Sequence, residues 1–105
     1  MKVRGLVEAA GRGLADAAGE SAQVILFGSH ARGDATPDSD ADFLVIEPTV
    51  KDRQAEWVRL RQTIADIPLP VDIVVLDEAV ASRRAKVPGT IVYRALRDGK
   101  IITRS

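Results

Sequence analysis

Apolar residues along the chain fall into runs of two different periods, and each change of period marks a new element. Val3, Leu6, Val7, Ala10, Leu14 and Ala17 recur at the spacing of one helix face, and Gly19 follows as a stop. Residues 23–27, Gln-Val-Ile-Leu-Phe, form a short apolar run rich in branched residues, which predicts a buried strand. Residues 29–33 predict a single helical turn, and residues 34–39 a polar loop marked by Thr36-Pro37-Asp38. Residues 40–46 give a second strand. Pro48-Thr49 precede a helix predicted over 50–65, with Thr49 and Asp52 placed as a capping pair. Trp57, Leu60 and Ile64 supply its buried stripe, with Trp57 read as a core residue.

Pro68 and Pro70 bracket a loop before a third strand at 71–76. A short helix follows over 77–86 and stops before Pro88. Another spans 90–97 with Gly99 as its cap, and 100–103 adds an edge strand. The order is helix, strand, strand, helix, strand, helix, helix, strand. It predicts an α/β sandwich, a small mixed sheet with helices packed on it. At 105 residues the chain reads as one domain, 1–105.

Composition narrows the functions open to such a domain. Aromatic residues make up only 4% of the chain, so the core is expected to be built from small aliphatic side chains. Fifteen basic residues balance fifteen acidic ones. That argues against direct nucleic-acid binding through a basic surface. The absence of cysteine excludes a disulfide framework and a thiolate zinc site, and the single histidine excludes a histidine-based metal site. No apolar run reaches membrane-spanning length and no signal peptide is evident, so no membrane partner is expected. The expected location is the cytoplasm, where ATP and Mg²⁺ are available.

The chemistry concentrates in residues 27–46. The first strand ends in Gly28-Ser29, and the second opens with Asp40-Ala41-Asp42. Side chains alternate along a strand, so Asp40 and Asp42 project the same way, about 6.5–7 Å apart. Two carboxylates so placed repel each other unless a cation lies between them. A Gly-Ser turn beside them offers backbone N–H groups and a hydroxyl to a phosphate. Together these parts point to a metal-dependent nucleotide site.

Gly-Ser, ten residues, then Asp-x-Asp resembles the signature of the DNA polymerase beta-like nucleotidyltransferase superfamily. The chain is most similar to its minimal nucleotidyltransferases, small single-domain proteins often encoded beside a HEPN-domain partner. The resemblance runs from about Val24 to Leu76. It implies a third carboxylate on a later strand, which Asp72 supplies. By this resemblance Asp40, Asp42 and Asp72 are the catalytic carboxylates and would hold two Mg²⁺ ions, with Asp72 either binding the second ion or taking the acceptor's proton. Gly28 and Ser29 would cradle the triphosphate of ATP. Arg32 is a candidate phosphate contact, and Ser39 either joins it at the nucleotide or orients the Asp-bearing strand. His30 reads as loop surface or as a wall of the nucleotide pocket.

Three functions are compatible with this reading. The resemblance implies AMP transfer to a tyrosine of a HEPN ribonuclease toxin, with this chain as antitoxin. The chain could instead be the catalytic subunit of a two-chain transferase acting on a small molecule, like the aminoglycoside nucleotidyltransferases. It could also neutralise a partner by binding alone.

Overall fold

The computed structural model describes residues 2–102. The opening helix, α1 (Val3–Ala18), ends at Gly19, whose φ of +98° takes the chain out of the helix. The first strand, β1 (Gln23–Phe27), matches its predicted bounds. A four-residue turn of helix, α2 (Ser29–Arg32), follows, and then β2 (Ala41–Glu47). Asp40 therefore stands just before the second strand rather than on it. The remaining elements are α3 (Arg53–Thr63), β3 (Val71–Asp77), α4 (Glu78–Arg84), α5 (Ile91–Asp98) and β4 (Lys100–Ile102). The last strand was predicted to reach Thr103, which lies outside the described residues.

The strands form one mixed sheet in the order β3-β2-β1-β4. β1 runs antiparallel to β2 and β4, while β2 and β3 are parallel. Strand alternation sorts the apolar residues to two faces. Leu26, Phe43, Val45, Ile73 and Val75 pack with Val7, Leu14 and Leu60 from α1 and α3. Ile25, Leu44, Ile46 and Leu76 pack with Ala81 of α4 and with Val92 and Ala95 of α5. Because β2 is covered on both sides, Phe43, Leu44 and Val45 are fully buried. Burying each such side chain contributes about 1.5–3 kcal/mol before entropy is counted.

Two expectations about α3 need correction. The helix starts at Arg53, three residues later than predicted, and Thr49 takes no part in its cap. Asp52 caps it alone, its Oδ1 accepting the Ala55 N–H at 3.0 Å. That satisfies a first-turn amide directly, worth about 1 kcal/mol, and leaves Thr49 nothing to bond. Trp57 is not core: it is 40% exposed. Its indole N–H donates to the Ile73 carbonyl on the free edge of β3 at 3.1 Å. The indole N–H needs an acceptor, and the sheet edge offers one where the core does not. Leu60 and Ile64 alone make the buried stripe.

The far end of β2 carries a burial that the pattern did not predict. Glu47 is 7% exposed, and its Oε2 has no hydrogen-bond partner among the described residues. It faces Glu56, whose carboxylate accepts from Arg59 Nε and Nη2 at 2.8 and 2.7 Å. Arg59 Nη2 also donates to the Ala17 carbonyl at the end of α1. Burial, then a hydrogen bond to Glu56 and its charge, push the Glu47 carboxyl up to about 7. The Arg59 hydrogen bonds chiefly hold Glu56 down at about 2. Below about pH 7 the protonated form of Glu47 is therefore favoured beside the Glu56 carboxylate.

No helix among the described residues is long and apolar enough to cross a membrane.

A carboxyl raised on folding stabilises below its unfolded value and loses that contribution as pH rises through its folded value. A lowered one stabilises above its unfolded value and loses the contribution as pH falls. Stability from this pair should therefore be greatest near pH 4.5, declining toward pH 7 through Glu47 and toward pH 2 through Glu56. Denaturant titrations from pH 4.5 to 8 should show a decline that levels off above about pH 7, and Glu47→Gln should flatten it.

Candidate active site

Asp42 is the second residue of β2. Phe27 of β1 lies across from it on one side, and Asp72 of β3 on the other. Adjacent strands lie about 4.7–4.9 Å apart. Both carboxylates belong to the alternating set that includes Leu44, Ile46, Val74 and Leu76, so they leave the sheet on the face covered by α4 and α5. Burial raises the proton affinity of Asp42 above the usual carboxylate range, and the charges of Asp72 and Asp40 raise it further. His30 and Arg32 oppose them.

Gly28 joins β1 to α2. Its φ of +77° and ψ of −155° are open to almost no residue but glycine. A Cβ there would also overlap Asp42 Oδ2. The backbone thus passes directly against the Asp42 carboxylate because nothing projects from position 28. The amides of Ser29 and His30 begin a helix and have no acceptor within it.

These parts line one cleft of about 420 Å³. Phe27, Gly28, Ser29 and Arg32 form one side, and Asp42, Asp72 and Val74 the floor. Ile91, Arg94 and Asp98, one face of α5, complete the lining. Arg32 also lies 3.3 Å from the Asp34 carboxylate.

Of the predicted site residues, Gly28, Ser29, Arg32, Asp42 and Asp72 meet here, while Asp40 and Ser39 do not line the cleft. Asp40 is exposed at the entry to β2, near enough for its charge to reach Asp42. Ser39 works on the loop: its Oγ accepts the Thr36 N–H at 2.9 Å, and its carbonyl lies 3.1 Å from His30 Nε2. Those bonds tie α2 to the segment that delivers Asp40 and Asp42. His30 lines a separate groove beside α1 and β4.

No three acidic or histidine side chains among the described residues stand close enough to hold an ion unaided. Mg²⁺ fits the arrangement nonetheless, because it takes one or two carboxylates and completes its shell with water and substrate phosphate. The paired charge of Asp42 and Asp72, with Asp40 adding to it, is the donor set such an ion requires.

The family model describing a nucleotidyltransferase domain matches residues 12–97, and the chain belongs to that family. The mixed sheet with its helices is the polymerase beta-like nucleotidyltransferase fold. A candidate nucleotidyltransferase from Sulfolobus solfataricus superposes with a TM-score of 0.60 at 25% identity, covering 93% of this chain and 77% of that one. A chain of a toxin–antitoxin complex with AMP-PNP gives 0.64 at 20% identity, covering 93% and 73%. A chain from the complex of a tri-AMPylated Shewanella oneidensis HEPN toxin with its MNT antitoxin gives 0.57 at 18%, covering 98% and 74%. No curated protein matches the chain significantly in sequence.

Gly28→Ala should cost about 1–3 kcal/mol from backbone strain alone and more from displacing Asp42. Gly33, at φ +85° with open space around it, is the control. Chemical denaturation should show Gly33→Ala losing about 1 kcal/mol, the cost of left-handed backbone without a clash.

Proposed function

We propose that the chain transfers AMP from Mg·ATP to a tyrosine hydroxyl of a HEPN-type ribonuclease toxin and so acts as its antitoxin. The observation that carries this reading is the meeting of Gly28-Ser29, Asp42 and Asp72 in one cleft of a nucleotidyltransferase domain. Likeness to chains from toxin–antitoxin complexes, one holding AMP-PNP and one a tri-AMPylated toxin, supports the choice of nucleotide and acceptor. The cleft lies in a small domain, which suits an acceptor presented by a second protein.

In this reading Ser29 and the neighbouring amides hold triphosphate oxygens, and Arg32 adds a charge-assisted hydrogen bond. Ser39 and His30 keep the Asp-bearing segment in register with that turn. Asp42, with Asp40 beside it, would ligate Mg²⁺, and Asp72 would either share a second ion or accept the hydroxyl proton. Two bound Mg²⁺ ions would neutralise charge on the attacking, phosphoryl and leaving oxygens. The acceptor oxygen attacks the α-phosphorus, the bond to the β-phosphate oxygen breaks, and pyrophosphate leaves. A phosphate-bearing group added to the toxin places charge and bulk where it would meet RNA.

Mg·ATP at a hundredfold excess over its dissociation constant should add about 2.7 kcal/mol, a rise of roughly 10–20 °C in melting temperature. ATP with chelator should do far less. Asp42→Asn should abolish AMP transfer, read as loss of the added mass on the coexpressed toxin. The same variant should melt slightly higher without ligand, because it removes a charge that burial and Asp72 disfavour. Toxin relief by Asp42→Asn with no added mass would mean neutralisation by binding alone.

A further inference from the structure

We infer that Arg94, carried by α5, binds the β- and γ-phosphates of the nucleotide and stabilises pyrophosphate as it leaves. The inference rests on the nucleotidyl-transfer reading and assigns a residue outside the Gly-Ser and Asp-x-Asp motifs.

The placement follows from the helix. Val92 and Ala95 are each 1% exposed and fix α5 to the sheet. Thr90 caps its start, its Oγ accepting the Tyr93 N–H at 3.1 Å. At its end Gly99 leaves no room for a side chain between Ala95 and β1. With two buried residues setting the rotation, Ile91, Arg94 and Asp98 are the face turned to the cleft, at helical spacing. Arg94 thus lines the same cleft as the Gly28-Ser29 turn, on a rigid element.

Its charge is uncommitted. Arg32 lies against Asp34, and Asp98 is 3.6 Å from Arg97 Nε. Arg94 makes no ion pair or side-chain hydrogen bond among the described residues. The charges felt at Asp42 are those of Asp72, Asp40, His30 and Arg32. Arg94 lines the cleft with Asp42 and Asp72 from the face of α5. The α-phosphate must sit at the carboxylates, where the ions would be. The far end of the triphosphate then extends away from them, toward a free guanidinium whose fork matches two phosphate oxygens. When the acceptor oxygen bonds to the α-phosphorus, the electron pair of the broken bond passes to the pyrophosphate oxygen. The acceptor's proton goes to Asp72 or to solvent. Arg94 faces the oxygens on which that charge is held.

Calorimetric titration of the full chain with Mg·ATP and with Mg·pyrophosphate tests this. Arg94→Ala should weaken both by at least about tenfold, the loss of one charge-assisted contact. Arg94→Lys should recover part of it, and ligand-free melting should be unchanged in both variants because the side chain is exposed and unpaired. Equal affinities for wild type and Arg94→Ala would overturn the assignment and leave the nucleotidyl-transfer reading intact. Lost transfer with unchanged affinity for both ligands would place Arg94 on the acceptor and overturn it too. A wild-type chain that binds neither ligand would fail the transfer reading itself, and the assignment with it.

Discussion

One cross-strand register governs the site: Phe27 opposite Asp42, and Asp42 opposite Asp72. Both carboxylates reach the same face only because this pairing holds across an antiparallel and a parallel ladder. Slipping either ladder by one residue would turn an aspartate toward α1 and α3, into the larger apolar core. The residues that prevent a slip are not polar. Phe43, Leu44, Val45 and Ile46 follow Asp42 and are buried on alternating faces, so a one-residue shift would push each into the packing of the opposite core. The position of the charges is therefore set by the hydrophobic packing of the next four residues, which repulsion between the aspartates is too weak to disturb.

The same strand carries a disfavoured carboxylate at each end, and the two are handled differently. At Glu47, burial and the neighbouring Glu56 favour the protonated form, and Glu56 takes the negative charge with Arg59 bound to it. Nothing comparable reaches Asp42. Its nearest cations act only through charge, and Arg32 is shared with Asp34. A buried acid with a protein partner stabilises a fold, whereas one raised by like charges leaves free energy to be recovered by a bound cation.

Much of this was legible in the sequence because its signals are local. The strand at 23–27 matched residue for residue, since a five-residue apolar run between polar punctuation has few alternatives. Gly28 was readable as a special backbone position from the Gly-Ser pair, and its φ of +77° agrees. What stayed hidden depends on which elements meet in space. Trp57 has the spacing of a core residue, and only the nearness of the β3 edge explains why it sits outside. Glu47 lies one residue past the predicted strand, and its burial comes from Glu56 and Arg59 of α3 beside it. Arg94 sits in a helix whose pattern gives its apolar face clearly, but sequence cannot say what the opposite face will meet. The spacing of Ile91, Arg94 and Asp98 was the available signal, and it becomes informative only once α5 is known to cross the end of the sheet bearing Asp42 and Asp72.

The charge balance of the cleft constrains how its ligands could bind. Asp42, Asp72 and Asp98 line it with two arginines, and Asp40 adds its charge from the rim. A bare triphosphate entering this space meets more negative charge than positive, so its attraction to Arg32, Arg94 and the Gly28-Ser29 amides is opposed by the floor. A divalent cation alone meets the carboxylates but finds few protein ligands among the described residues to hold it. Each supplies what the other lacks: phosphate oxygens finish the cation's coordination, and the cation cancels the repulsion between phosphate and aspartate. Binding of the two is thus coupled, and linkage makes the coupling equal in both directions. The polar half of the cleft sorts accordingly: Asp42 and Asp72 lie on the sheet where cations would sit, and Arg32, Arg94 and the Gly28-Ser29 amides flank them, while Asp98 on α5 is paired with Arg97.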